Sequence, residues 1–386
     1  MQFDGPRGRL HVELPVVDIP ANTTGPYVAQ SMEQSKWVTA DAYEEFHYGL
    51  DALFGRKKWY GLLTESAFDA TTILVSVPFF GGWQHEEWHR AVLARRGISS
   101  ENPYYSTPSL PLLSPKTIQV SDADIARLKA EHPIDYVRVG EAGFEGQYAL
   151  TAELERNIFF HDQPNVSSFI IGMSYIETSL YMAICNANPT GTGDCSLWTD
   201  GLFAPHAKPH SDGAPLAPGA EGYIKTQLGL SFLNFVDPFV FMMKDLKLRD
   251  VRLAAALRHV PTSFGYDVRL DLFYRDAHRG LVFSAHNFVN GVRWFPGASV
   301  ELAPTPMGPF SIGARSTFWL QPSDGGFFTA SPRPGGDVEL TLGVPILRNR
   351  LVPYVELEGK TAGWAMGNAF IEATPAMRLG LQANLF

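Results

Sequence analysis

The sequence has few charges, few cysteines and none of the short motifs that bind nucleotides. Charged residues form 18% of the 386 residues, below the usual proportion of about a quarter, and the net charge is −9. This negative charge, with no lysine or arginine run long enough for a basic arm, gives no electrostatic basis for binding nucleic acid. No glycine-rich phosphate loop, nucleophile elbow or dinucleotide fingerprint is present. These absences argue against the common nucleotide-dependent enzymes and serine hydrolases.

The chain begins without the basic segment and following apolar segment of a secretory signal peptide. Residues 1–38 are instead rich in proline, glycine and asparagine, which predicts an extended arm or a short β segment before helices begin near Thr39. The only two cysteines, Cys185 and Cys195, enclose a polar loop in which a short-range disulfide closes easily. A disulfide indicates an oxidising compartment, and so a periplasmic or surface location; the alternative is two free thiols.

Aromatic residues are plentiful at 12%, which suits a protein that contacts something apolar. Three apolar stretches, residues 59–80, 167–187 and 228–243, approach the length of a bilayer crossing, but each contains an acidic residue. They are predicted to be either membrane helices packed around polar chemistry or core helices of a large enzyme. The tryptophan, tyrosine and lysines near the start of the first stretch favour membrane contact.

Two histidines stand out in the stretch GGWQHEEWHRAVLARRGI, residues 81–98. His85 and His89 are four residues apart, and Glu86 directly follows the first. On an α-helix, residues at i and i+4 project from one face, so both imidazoles can reach one ion. The alternative interpretation is a charged amphipathic helix that binds no metal.

This pattern resembles the H-E-x-x-H motif of zincin metallopeptidases, and the resemblance covers residues 83–150. It implies that His85 and His89 bind Zn²⁺ and that Glu86 acts as general base on a zinc-bound water. It also implies a hydrolase that cleaves peptide bonds.

A catalytic zinc site needs a third protein ligand and an open position for water. In the gluzincin branch, which this spacing resembles, a glutamate on a later helix completes the ligand set. Glu145 is expected to take this role, with Glu141 as the alternative. The small residues Ala142, Gly143 and Gly146 would let this second helix approach the first one closely.

Residues 262–386 have a different character. Short alternating runs separated by glycine, proline, asparagine and aspartate predict roughly seven to nine antiparallel strands. In DVELTLGVPIL, residues 337–347, apolar side chains alternate with polar residues or glycine, which is typical of a strand with one buried face.

The strand region, with a terminal strand that ends in Phe386, resembles outer-membrane β-barrels over roughly the last 120 residues. The resemblance implies apolar side chains toward lipid, polar side chains inward, and aromatic girdles at the two interfaces. The candidate girdle residues are Phe318, Trp319, Tyr354 and Trp364. The alternative is a soluble β sandwich, in which the same aromatic residues would fill the core.

The expected fold is therefore α+β. An extended arm (1–38) precedes a helical zincin-like part with apolar helices (39–261) and an antiparallel β region (262–386), which is either a transmembrane barrel or a sandwich. The expected function is that of a membrane-associated zinc metallopeptidase in the bacterial outer membrane or at its periplasmic face. Its expected partners are a peptide or protein substrate and a lipid bilayer, with no nucleic acid.

Two other functions compete with this hypothesis. One is an outer-membrane β-barrel channel or structural protein, with a helical plug and no catalysis. The other is a membrane di-iron enzyme of lipid chemistry. A di-iron site requires several histidine clusters, whereas the sequence shows one convincing pair.

Overall fold

A computed structural model gives the structure of the chain. It describes residues 10–23, 29–54, 59–75, 81–105, 118–161, 175, 193–204, 217–241, 246–248, 250–323, 329–347 and 350–385.

The helices precede most of the strands along the chain. The helices are α1 (Met32–Phe54), α2 (Trp59–Val75), α3 (Gly81–Arg95), α4 (Asp122–Glu131), α5 (Pro133–His161), α6 (Asp194–Phe203) and α7 (Ala220–Ser231), followed by two 3-10 turns, Phe232–Val236 and Pro238–Phe241. The strands are β1 (Leu10–Ile19), β2 (Leu246–Leu248), β3 (Val251–Thr262), β4 (Gly265–Arg275), β5 (Gly280–Val289), β6 (Trp294–Met307), β7 (Phe310–Pro322), β8 (Pro332–Gly343), β9 (Leu351–Lys360) and β10 (Thr374–Leu385). The α+β class expected from the sequence is confirmed.

The boundary between α4 and α5 follows from local sequence signals. Ser121 caps α4, because its hydroxyl accepts a hydrogen bond from the Asp124 amide at 3.1 Å. Pro133 opens α5, where its missing N–H leaves no helical bond unmade. These signals set the start of α5, a helix of 29 residues that runs through the centre of the molecule.

All ten strands form one antiparallel sheet with the order β1-β10-β9-β8-β7-β6-β5-β4-β3-β2. The strands from β2 to β10 follow one another as a meander, and β1 joins from the far end of the chain by pairing with β10. Part of the predicted N-terminal arm is therefore a strand of the sheet. The sheet also begins earlier than residue 262, since β3 starts at Val251.

The sheet has one charged face and one apolar face. The register places every Asp, Glu, Lys and Arg of the ten strands on the side that faces the helices. In β8, Asp337 is buried on that side, whereas Val338 and Leu340 on the other side are 60% and 48% exposed. The predicted alternation is confirmed, and the apolar residues point outward.

The sheet curves around two helices. β1 packs on α1, where the Glu13 amide donates a hydrogen bond of 3.0 Å to Asp41. β3 packs on α5, where Arg258 forms an ion pair with Glu155. Because α1 and α5 also contact each other, strands near opposite ends of the sheet lie against one helical layer.

The space between helices and sheet is partly apolar and partly charged. Aromatic and aliphatic side chains of α5 and the strands form a buried core that includes Leu154, Phe159, Phe273, Phe288, Phe295 and Trp319. Beside it lies a cavity of about 600 Å³, whose lining includes Lys36, Arg156, Glu301, Arg315 and Glu339.

Of the four aromatic residues considered as girdle candidates, only Phe318 lies exposed on the outward face. Trp319, Tyr354 and Trp364 are buried. Their direction follows from the period of two, since Trp319 and Tyr354 share the inward side with the charged residues of their strands. The girdle assignment is therefore wrong for these three residues.

The three apolar stretches have different outcomes. Residues 59–75 form α2, and residues 228–241 form the end of α7 and the two 3-10 turns. None of the helices in the described ranges combines the length and apolar character needed to cross a membrane. Apart from Tyr175, the stretch 167–187 lies outside the described residues. Cys185 lies outside them too, and with it the predicted disulfide.

Candidate metal centre

Glycines on α5 let two other helices come unusually close to it. A Cβ atom built on Gly143 would lie 2.3 Å from Nε2 of His85, which belongs to α3. A Cβ atom on Gly140 would lie 2.4 Å from the Trp198 amide nitrogen of α6. The neighbours of Gly140 are backbone atoms, so only glycine fits there, whereas a side chain at Gly143 would have to displace the His85 ring. The small residues of α5 therefore allow the close helix approach that the sequence predicted, and they bring α3 and α6 to the same part of α5.

The two motif histidines and one aspartate converge at this place. His85 and His89 lie on one face of α3 with ring centroids 4.8 Å apart. Asp194, the first residue of α6, places Oδ2 2.8 Å from His85 Nε2 and Oδ1 3.3 Å from His89 Nε2. One nitrogen or oxygen from each residue lies within 4.8 Å of the others, so this group could hold a metal ion.

The separations suit a small divalent cation. Ligands about 2 Å from a tetrahedral ion lie about 3.3 Å from one another. The side chain of His89 is 1% exposed, while those of His85 and Asp194 are 10% and 14% exposed. His89 is therefore shielded from solvent, whereas small parts of the His85 and Asp194 side chains are exposed to it.

A backbone carbonyl orients the His89 ring. Nδ1 of His89 lies 2.6 Å from the carbonyl oxygen of Val139 on α5, so Nδ1 carries the proton and donates it. In the neutral ring, Nε2 then holds a lone pair directed at the Asp194 carboxylate. Nε2 is buried and makes no hydrogen bond with any described residue. A lone pair facing a carboxylate is stable only with a cation between them or with a second proton on the ring.

The charges of the group shift the pKa values of its members. Burial disfavours charge on His89, but the Asp194 carboxylate outweighs it and raises the His89 pKa to about 9. Burial likewise opposes ionisation of Asp194, yet the two histidines, His89 foremost, hold its pKa well below the usual range. The carboxyl group is therefore ionised at neutral pH, as a metal ligand must be.

Glu86 lies beside the group without joining it. Its Oε2 accepts a hydrogen bond of 2.8 Å from the Ile118 amide, which fixes the side chain. Burial raises its pKa to about 7, with Asp194 adding to the shift and the two histidines opposing it. The carboxyl group is therefore placed to exchange a proton near neutral pH.

Glu145 and Glu141, the expected third ligand and its alternative, lie outside this group. Both carboxylates pair with Arg138 on the same helix, in fully buried surroundings. Glu145 also accepts a hydrogen bond of 2.7 Å from the Gly367 amide. A buried guanidinium requires such partners. Arg138 pairs with both glutamates, and the carboxylate that lies beside the two histidines is that of Asp194.

Sequence reasoning missed Asp194 because the signal for it is weak. It lies 109 residues from His85. The local sequence shows only that Asp194 is an acidic residue in the first turn of a helix, directly after Gly193. Acidic residues at this position stabilise many helices and do not indicate a metal ligand.

Other histidines have ordinary polar partners. His47 lies 2.7 Å from Asp69, His259 lies 2.6 Å from Gln227 and His286 lies 2.7 Å from Asp267. All three are buried and have one polar partner on the ring, which supports a structural role, although Nδ1 of His47 and Nδ1 of His259 make no hydrogen bond with the described residues.

Comparisons of the chain with protein families, curated proteins and solved structures found no match.

Proposed function

We propose that this protein is a zinc-dependent hydrolase that cleaves peptide bonds at the His85, His89 and Asp194 group. The observation that carries the proposal is the convergence of two imidazoles and an ionised carboxylate, with the His89 ring held by the Val139 carbonyl. Two nitrogens and one oxygen from protein are the donor types that hold a catalytic zinc ion, which takes a water molecule as its fourth ligand.

The choice of zinc follows from the donor types. Imidazole nitrogen suits zinc, copper, iron and nickel, whereas calcium and magnesium prefer oxygen alone. Zinc is redox-inert and takes four ligands readily, which matches three protein donors and one open position. When bound, it would supply a Lewis acid that lowers the pKa of a water molecule to about 7.

Glu86 would act as the general base. It follows His85 on α3, its side chain is held by the Ile118 amide, and it does not belong to the ligand group. The carboxylate would accept the proton of the attacking water and later return it to the leaving amine. Peptide cleavage is the reaction of the zincins that the motif resembles, and it requires this division of roles.

Elemental analysis and a cleavage assay test the proposal together. Purified full-length chain, loaded with zinc and dialysed, should hold one zinc ion per molecule and should cleave an unstructured protein such as casein. A chelator should abolish cleavage, and added zinc should restore it. Metal-loaded chain that cleaves no peptide or protein substrate would contradict the assignment of a peptidase.

A pair of histidine variants provides the matched control. His85→Ala should lose zinc and activity together. His278→Ala, in the exposed turn between β4 and β5, should keep both. Equal zinc content in both variants would show that His85 is not a zinc ligand.

A second candidate is a non-catalytic channel or structural protein whose helices fill the space inside the sheet. The charged cavity of about 600 Å³ between helices and sheet favours it. Planar-bilayer recording distinguishes the two functions, since a channel conducts ions with or without zinc and a hydrolase needs zinc to act.

A further inference from the structure

The outward face of the sheet carries a mainly apolar surface without Asp, Glu, Lys or Arg, in which polar residues such as Ser316 are few. This surface consists of the outward residues of β4 to β10 and β1, here termed the apolar belt. It includes Leu272, Phe283, Val300, Leu340, Leu357 and Leu379, all of them exposed. We propose that the apolar belt contacts lipid acyl chains, so that the strands lie in the apolar core of a bilayer.

The register makes the belt continuous from strand to strand. Phe283 of β5 is paired with Leu272 of β4 on one side and with Val300 of β6 on the other. Leu340 of β8 is paired with Leu357 of β9. Such pairs bring side chains within about 5 Å of each other, so they form one surface.

The distribution of charge rules out an ordinary water-facing sheet. A sheet with one face in water places its polar side chains on that face. Here every Asp, Glu, Lys and Arg of the strands lies on the opposite side. Several of them pair with helices, as Arg258 does with Glu155 and Glu301 does with Arg156. The outward residues therefore face a medium that accepts apolar groups and few charges.

The curvature of the sheet favours lipid over a second protein as the partner of the apolar belt. The sheet bends around α1 and α5, so the apolar belt is a convex surface that extends over eight strands. A rigid partner, including a second copy of this chain, would cover one side of such a surface and leave the rest in water. Fluid acyl chains can cover all of it.

Strand length fits the same environment. The strands of the belt contain 10 to 14 residues. A tilted strand needs about 9–11 residues to cross the apolar core of a bilayer. Strands β4 to β10 pair with neighbours on both sides, as an apolar medium requires, and β1 pairs on one side, with β10. This proposal uses different residues from the metal centre and does not depend on the proposed hydrolase activity.

Nitroxide scanning along β8 tests the proposal. The full chain with Cys185→Ser and Cys195→Ser would carry one spin label at a time, at Val338→Cys, Leu340→Cys or Leu342→Cys. Thr341→Cys, on the inward side, is the matched control. In palmitoyl-oleoyl-phosphatidylcholine vesicles, labels at the three outward positions should collide severalfold more often with oxygen than with a water-soluble nickel chelate. The label at Thr341→Cys should not show this preference.

Two results would overturn the proposal. One is nickel accessibility of the outward labels equal to that of a label at His278→Cys, in the exposed turn between β4 and β5. The other is a detergent-free dimer in which spin–spin broadening appears at the outward positions, because the belt would then cover a second copy. Flotation of the unaltered chain with the same vesicles gives an answer independent of any variant; a chain that stays at the bottom of the gradient contradicts lipid contact.

Discussion

Gly143 lies directly against the imidazole of His85, where a Cβ atom would come within 2.3 Å of Nε2. The metal centre therefore depends on a residue that has no functional group. The absence of a side chain lets α3 settle on α5, which places the His89 ring under the Val139 carbonyl and the His85 ring next to Asp194.

The variant Gly143→Ala should displace His85 and weaken zinc binding by roughly tenfold or more, because a ligand moved by even a few tenths of an ångström loses coordination geometry. Competition with a chromophoric chelator measures the affinity. The control is Gly229→Ala in α7, where a Cβ atom meets nothing within 4 Å. That variant should keep its zinc affinity and gain about 0.5–1 kcal/mol of helix stability. An unchanged affinity in Gly143→Ala would show that the His85 ring does not need this contact.

Asp194→Asn should lose most of its zinc affinity, since an amide oxygen is a weaker ligand than a carboxylate and leaves the charge of the ion uncompensated. Asp122→Asn is the matched control, because Asp122 also opens a helix of ten residues but is exposed. Isothermal titration with zinc compares the two. Equal affinities would remove Asp194 from the ligand set.

Glu145→Gln should keep zinc and lose stability. The change leaves the buried Arg138 guanidinium with one charged partner fewer, which is expected to cost about 1–3 kcal/mol. Denaturant unfolding measures the loss, and elemental analysis measures the metal. If the folded variant loses its zinc, Glu145 is a ligand after all and the geometry proposed for Asp194 fails.

Glu86→Gln should keep zinc and reduce kcat by about 10²–10⁴-fold, the usual contribution of a general base. The matched control is Glu131→Gln at the exposed end of α4, which should cleave at the normal rate. A zinc-loaded Glu86→Gln variant with full activity would assign the proton transfer to another group.

Zinc should stabilise the fold by mass action. At a free concentration one hundred times the Kd, binding to the folded state alone adds about 2.7 kcal/mol. Thermal unfolding with zinc and with a chelator should therefore give a higher Tm with zinc, and the His89→Ala variant should show no difference. A zinc-dependent shift that persists in this variant would indicate binding elsewhere.

Several features of the fold could be predicted from local sequence. The spacing of His85 and His89 fixes both rings on one helix face, because 3.6 residues complete a turn. The alternation in residues 337–347 predicts a strand, because successive side chains point to opposite sides.

The sequence by itself determined the imidazole pair, its adjacent glutamate, the helical first part and the two-sided strands, all of which depend on contacts within a few residues. Only the tertiary structure decided that Asp194 meets His85 across 109 residues and that Glu145 pairs with Arg138. It also decided that the charged side of the strands faces inward, because alternation separates two faces without saying which is buried. These outcomes depend on how whole helices and sheets pack, and packing joins residues that are far apart in the chain, which no local pattern encodes.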